Sequence, residues 1–333
     1  MKRLPENVNE QEAGMWQRQG MTFVMIAGLW MTGAEATAQS WSPPAPEARC
    51  PSRWGAADER GAANLVNAAS VLRAAKLIRS GEVVELGRVL AVDMPFFGTR
   101  RFDLHTKRTG GPFGSNKRYT NEELVITELG QVGTQLDMFS HQEIDGLLYN
   151  CIRTADIQTR NGFSKLGVDQ IGSLMTRGVL IDVAAAKGVD MLPMSYEITV
   201  ADLQDALAKQ GVALQAGDAV LIHTGWGKLW GVDNAKYNSG CPGIGVAAAQ
   251  WLAKQDPLLF GADNFPVEVA PNPDKSLSLP VHQIALAING IFLLENMKLD
   301  ELAAKKAYEF AFVVQPLKIK GGTGSTVAPI AIR

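Results

Sequence analysis

Gln131-Val132-Gly133-Thr134-Gln135-Leu136-Asp137-Met138-Phe139-Ser140-His141 packs two carboxamides, a carboxylate and an imidazole into eleven residues. Side chains two apart along an extended strand share a face. An extended reading puts Gln131, Gly133, Gln135, Asp137, Phe139 and His141 on one side. Four ligand-type groups on one face, with a glycine that admits close backbone approach, point to a metal or catalytic site. A solvated strand edge with a helix-capping aspartate is the alternative that spacing alone leaves open.

Around this stretch, strands and helices interleave. Residues 82–92, 123–130, 179–183, 219–223, 258–262 and 311–318 carry the apolar or alternating runs of strands. Residues 68–80, 200–209, 245–254 and 299–304 read as helices, with Asn67 and Thr199 placed as N-caps. This order defines an α/β fold. Residues 95–121 lack periodicity and are punctuated by Gly98, Gly110, Gly111, Pro112 and Gly114. They read as a long loop, a lid or substrate wall bearing Phe96, Phe97, Phe102 and His105.

Composition narrows the class. A 333-residue chain with 46% hydrophobic and 20% charged residues is globular. Its net charge of -2 and the lack of a dense Lys/Arg run exclude nucleic acid as a partner. Cys50, Cys151 and Cys241 form no CxxC pair, which excludes a zinc ribbon or thioredoxin-like site and leaves one disulfide open. No Gly-x-Ser-x-Gly, phosphate loop or dinucleotide fingerprint is present. At the N-terminus, Lys2, Arg3 and Arg18 precede an apolar run at 21–31, followed by Ala36-Thr37-Ala38. That is the layout of a signal peptide over residues 1–38, too short for a membrane span. It predicts a periplasmic or secreted protein with no membrane segment in the mature form. Met15 and Met21 are alternative starts, and a tail on a cytoplasmic enzyme is the competing reading. Residues 39–51, with Pro43, Pro44, Pro46 and Pro51, read as a linker before a folded domain at 52–333.

The stretch at 131–141 resembles the metal-site motif of the cyclase family, which includes bacterial kynurenine formamidase and isatin hydrolase. The motif reads His-x-Gly-Thr-His-x-Asp-x-Pro-x-His. Gly133, Thr134, Asp137 and His141 match it in register. Gln131 and Gln135 stand at histidine positions and Phe139 at the proline, so the chain is similar to a branch with Gly-Thr-Gln. Three further pieces agree in order: Trp54-Gly55 through Leu65, Leu221 through Trp226, and Pro316-Leu317-Lys318 through Ser325. The resemblance covers residues 50–333 and implies a swivelling β/β/α architecture.

It also implies roles. Asp137 would hold a divalent metal, completed by His282 and Glu295, thirteen residues apart, and by the amide oxygens of Gln131 and Gln135. Amide oxygens are weaker zinc ligands than imidazole, and an oxygen-rich set suits manganese, magnesium or calcium better, so the expected cation is manganese or zinc with zinc affinity lowered. His141 would move protons as general base, since imidazole titrates near neutrality. From the residues themselves rather than the resemblance, His223 and Trp226, at the end of a buried strand, would line a substrate pocket with Phe102 and His105. Asp263 either orients His282 or a lysine-type partner or starts a turn with Asn264. The implied activity is metal-dependent hydrolysis of an amide or cyclic amide C–N bond in an aryl formamide or isatin-like substrate. Ester or lactone hydrolysis on the same site, or a catalytically silent periplasmic binder, are the alternatives. Family members form dimers or tetramers, so a homo-oligomer is expected.

Overall fold

Runs rich in Val, Ile and Leu become the middle of one nine-stranded mixed sheet. The computed structural model describes residues 40–333, which form one compact unit. The signal-peptide reading lies outside the described residues. The strands used below are β1 (Val83–Glu85), β2 (Phe102–Phe113), β3 (Arg118–Thr127), β4 (Gln135–Asp137), β5 (Leu174–Asp182), β6 (Ala219–His223), β7 (Leu259–Ala262), β8 (Phe292–Glu295), β9 (Glu309–Val314), β10 (Gly324–Thr326) and β11 (Ile330–Ile332). The large sheet runs β1-β11-β9-β5-β6-β7-β8-β4-β10. β5 through β8 are parallel neighbours, and the flanking pairs are antiparallel.

β6, β7 and β8 are buried along their whole length, as parallel strands covered on both faces must be. Helix Ala68–Ala75 packs on β5 and β9, and helix Val200–Gln210 on β5. Both expected caps are present. The Asn67 carboxamide oxygen accepts from the backbone N–H groups of Ala69 and Ser70 at 2.9 and 3.1 Å. Thr199 and Asp202 form a reciprocal capping box. This mixed α/β domain with its curled sheet agrees with the swivelling β/β/α expectation.

Four expectations change. The long loop is largely a hairpin, β2 with β3, which pairs with no other strand among the described residues. Its glycines and proline sit at register shifts between Arg108 and Phe113, so loop-forming residues serve as bulges. The strand expected over 82–92 shrinks to β1. The supposed linker carries a helical turn, Pro46–Arg49, and is fastened by a Cys50–Cys151 disulfide. Finally, 131–141 is not one extended strand. Gly133 has φ +64°, only Gln135–Asp137 pair in the sheet, and a turn closes with the His141 N–H donating to the Met138 carbonyl at 2.9 Å.

Candidate metal centre

β4 lies between β8 and β10, and its register builds the site. Gln135 pairs with Glu295 and Asp137 with Leu293, so Gln135, Asp137 and Glu295 share one face of the sheet. Leu136 and Leu294 point to the opposite face and are fully buried. The Gly-Thr pair anchors this strand. Thr134 Oγ1 accepts from the Arg88 N–H at 2.8 Å and donates to the Asn296 carbonyl at 2.8 Å, and the Asn296 amide donates to the Gly133 carbonyl at 2.9 Å. The motif is thereby tied to the residue that follows β8. Phe139, at the family's proline position, fills the core between Tyr149 and Phe292, 4.7 Å from each ring centre.

The turn after β4 brings His141 back over Asp137, with Nε2 3.9 Å from Oδ2. The helical turn Pro280–His282 delivers His282, whose Nε2 is 3.8 Å from the same oxygen and 3.2 Å from Glu295 Oε1. Ligand atoms of Asp137, His141 and His282 all lie within 4.8 Å of one another. Glu268 is fully buried behind them. It accepts from the Val281 and His282 N–H groups at 3.1 and 3.0 Å, and its Oε1 is 2.7 Å from His282 Nδ1.

The glutamines bridge the carboxylates. Gln131 donates to Asp137 Oδ1 at 3.3 Å, and Gln135 donates to Gln131 Oε1 at 3.2 Å and to Glu295 Oε2 at 2.9 Å. The Gln131 oxygen thus has one of its two lone pairs engaged, whereas the Gln135 oxygen has neither. Two buried oxygens, Gln135 Oε1 and Asp137 Oδ2, have no hydrogen-bond partner among the described residues. Buried polar atoms are rarely left so. Together with two imidazoles and the Glu295 carboxylate, they form a nitrogen and oxygen donor set that fits a divalent cation.

Titration properties follow from this crowding. Burial and the nearby Asp137 charge push Glu295 up to about 7, against the pull of His282. Burial opposes charge on His282, but hydrogen bonds with Glu268 and Glu295 prevail and raise it to about 10. Burial holds His141 below its usual value despite the attraction of Asp137.

A cavity of about 40 Å³ opens against His141, His282 and Glu295. Its other walls include Phe97, Arg100 and Phe265, with the Phe97 and Phe265 rings stacked at 4.9 Å. None of the four expected substrate residues lines it. Phe102 is buried in a small cluster with Met94 and Val132, and His105 sits on the exposed hairpin. Trp226 is 1% exposed, and its indole N–H donates to the Tyr237 carbonyl at 3.2 Å. His223 is closed in by carboxylates, with Nδ1 2.8 Å from Asp182 and Nε2 3.8 Å and 3.9 Å from Asp263 and Asp300. Asp263 accepts from Thr224 and Gly227, so Glu268, not Asp263, orients His282. The only sequence signal for Glu268 is a lone acid in an apolar run, Val267-Glu268-Val269-Ala270.

A mixed sheet in which Gly-Thr leads into its penultimate strand and a buried His/Asp/Glu cluster defines an α/β scaffold with a candidate metal site. The Cyclase family model matches residues 84–269, and the chain belongs to the cyclase family. A cyclase of known crystal structure is 34% identical, with 84% of this chain and 96% of that one covered and a TM-score of 0.77. Isatin hydrolase A from Ralstonia solanacearum shares the fold at 24% identity over 79% of this chain and 94% of its own, with a TM-score of 0.55. Isatin hydrolase A from Labrenzia aggregata, bound to benzyl benzoate, does so at 22%, over 78% and 94%, with a TM-score of 0.54. No curated protein matches the chain.

Proposed function

We propose that the chain is a metal-dependent hydrolase that cleaves an amide or cyclic amide C–N bond in a small aromatic substrate. The observation that carries this reading is the buried Asp137–His141–His282 cluster beside an unpartnered Asp137 oxygen. Membership of the cyclase family supports it, as do neighbours of the same fold named as hydrolases of isatin. A divalent cation held by Asp137, His282, Glu295 and the Gln135 amide oxygen would supply Lewis acidity, polarising a carbonyl and acidifying water. Manganese suits this oxygen-rich set, with zinc the second choice.

His141 occupies the cavity side with its side chain 16% exposed, and burial keeps it neutral near pH 7. It accepts the proton of the attacking water and returns it to the leaving nitrogen. Glu268 fixes the His282 ring so that Nε2 faces Asp137 and Glu295. Gln131 and Gln135 keep the two carboxylates apart at a fixed spacing. Phe97 and Phe265 offer a ring-binding wall.

The mature chain is exported, a reading supported by the Cys50–Cys151 disulfide, since such bonds persist in oxidising compartments. Among the described residues no helix is long and apolar enough to cross a membrane. It assembles as a homo-oligomer through the β2–β3 hairpin, where Leu104, Phe113, Tyr119 and Leu124 are about half exposed.

Metal analysis by mass spectrometry on chelator-free protein tests the site. Near-stoichiometric manganese or zinc is expected, and loss of both metal and about a thousandfold of aryl formamide or cyclic amide turnover in Asp137→Ala. Full turnover in Asp137→Ala overturns the assignment, and turnover of esters or lactones alone overturns the bond class.

A further inference from the structure

A second cavity, of about 300 Å³, shares no lining residue with the one at His141 and His282. It has the size of a small-molecule site. One wall is the disulfide-fastened segment after Ser40, and Ile288 and Pro257 supply an apolar wall.

Two arginines line this cavity, and they differ. Arg53 is half exposed, pairs with Asp256 at 2.6 Å and lies over the Trp54 ring at 4.6 Å. Arg49 is 7% exposed, and its Nε and Nη1 have no hydrogen-bond partner among the described residues. Trp54 lines the same cavity, and its indole N–H is also buried and unpartnered. Guanidinium does not deprotonate in proteins, so Arg49 carries a buried charge without a counter-charge. Such a group normally has a partner. A guanidinium receives a carboxylate in bidentate geometry along Nε and the Nη on the same side, or along its two Nη groups. The unpartnered Nε and Nη1 each belong to one such edge. Glu47 and Asp256 also border the cavity and would repel a dianion, while Arg53 is already neutralised by Asp256.

We propose that this cavity binds a small organic monocarboxylate, received by the Arg49 edge and the Trp54 N–H with its apolar body against Ile288 and Pro257. The site is independent of the hydrolytic reading and goes beyond it.

Isothermal titration of the full chain with phenylacetate tests this, with 2-phenylethanol as a probe of similar shape lacking the charge. Saturable one-site binding of phenylacetate alone is expected, about tenfold weaker in Arg49→Gln and unchanged in Asp137→Asn. Should Arg49→Gln fail to fold, Trp54→Phe removes the indole donor while keeping an aromatic ring under Arg53, and must weaken binding several-fold. Absence of saturable binding, equal affinity in the variant tested, equal binding of 2-phenylethanol, or loss of binding in Asp137→Asn overturns the proposal.

Discussion

Two histidines, His282 in its helical turn and His223 at the end of the middle strand β6, each sit buried among carboxylates, yet their surroundings give them opposite uses. His223 meets Asp182, Asp263 and Asp300; burial opposes its charge, but the hydrogen bond with Asp182 and the nearby Asp300 and Asp263 carboxylates prevail and raise it to about 10. Its charge holds Asp182 and Asp300 below their usual values against burial. Asp182 also caps the turn Val183–Ala186, so this cluster ties together β5, β6, the end of β7 and the helix Asp300–Ala304. His282 has a comparable acid shell, but a neighbouring imidazole and a cavity adjoin it, and Asp137 keeps an oxygen without a partner. Both clusters hold buried atoms without a hydrogen-bond partner, His223 Nε2 and Asp300 Oδ1 in one and Asp137 Oδ2 in the other. Among the described residues it is the second that gathers three ligand atoms within 4.8 Å beside a cavity, and that arrangement is what binds.

The largest effect that separates the two comes from His223→Gln. Removing the cation from three acids should cost about 3–5 kcal/mol of stability, read by chemical denaturation, with metal content per folded chain unchanged. Since the folded pKa of His223 lies above its unfolded value, its stabilisation is full below about pH 6.5 and lost as pH rises towards 10. The gap between wild type and variant should therefore shrink over that window; a constant gap would show that His223 acts through packing alone. Glu268→Gln probes the other cluster. It keeps shape and loses charge behind His282, so metal affinity should fall about 10- to 100-fold while the fold persists. Unaltered affinity would mean that His282 is oriented by its own helix turn.

How far each cluster could be read in the sequence depends on the range of its determinants. Asn67 and Thr199 were legible as caps because the N–H groups they satisfy lie two or three residues on. The strand at 219–223 was legible because burial on both faces writes itself as Ala219-Val220-Leu221-Ile222-His223. Of the hairpin β2–β3 only the second arm was legible, as the strand at 123–130, because the hairpin's apolar residues mostly face solvent and no core imposes a period. Asp137, His141, His282 and Glu295 were found through resemblance, and the β8–β4 register explains why they meet. The bridging use of Gln131 and Gln135 depends on that same register, and Glu268 on a contact fourteen residues away. Trp226 and His223 were misplaced because a strand end in sequence does not reveal which side chains turn inward.

That misplacement sets up the smallest effect, the contrast of Phe97 with Trp226. Phe97 is 46% exposed and stacked on Phe265 at the cavity, whereas Trp226 is buried beside Tyr237. Phe97→Ala removes a ring from the cavity wall without opening the core, so thermal stability should barely move. An aromatic contact of about 0.5–1.5 kcal/mol corresponds to a KM raised about 2- to 12-fold. With kcat unchanged, the lost contact is one made equally in ground and transition states, as a ring-binding wall requires. A fall in kcat at constant KM would place Phe97 against the reacting carbonyl instead. The buried counterpart, Trp226→Phe, keeps an aromatic ring but loses the bond to Tyr237 and part of the indole's packing, so it should lower stability and leave KM where it was.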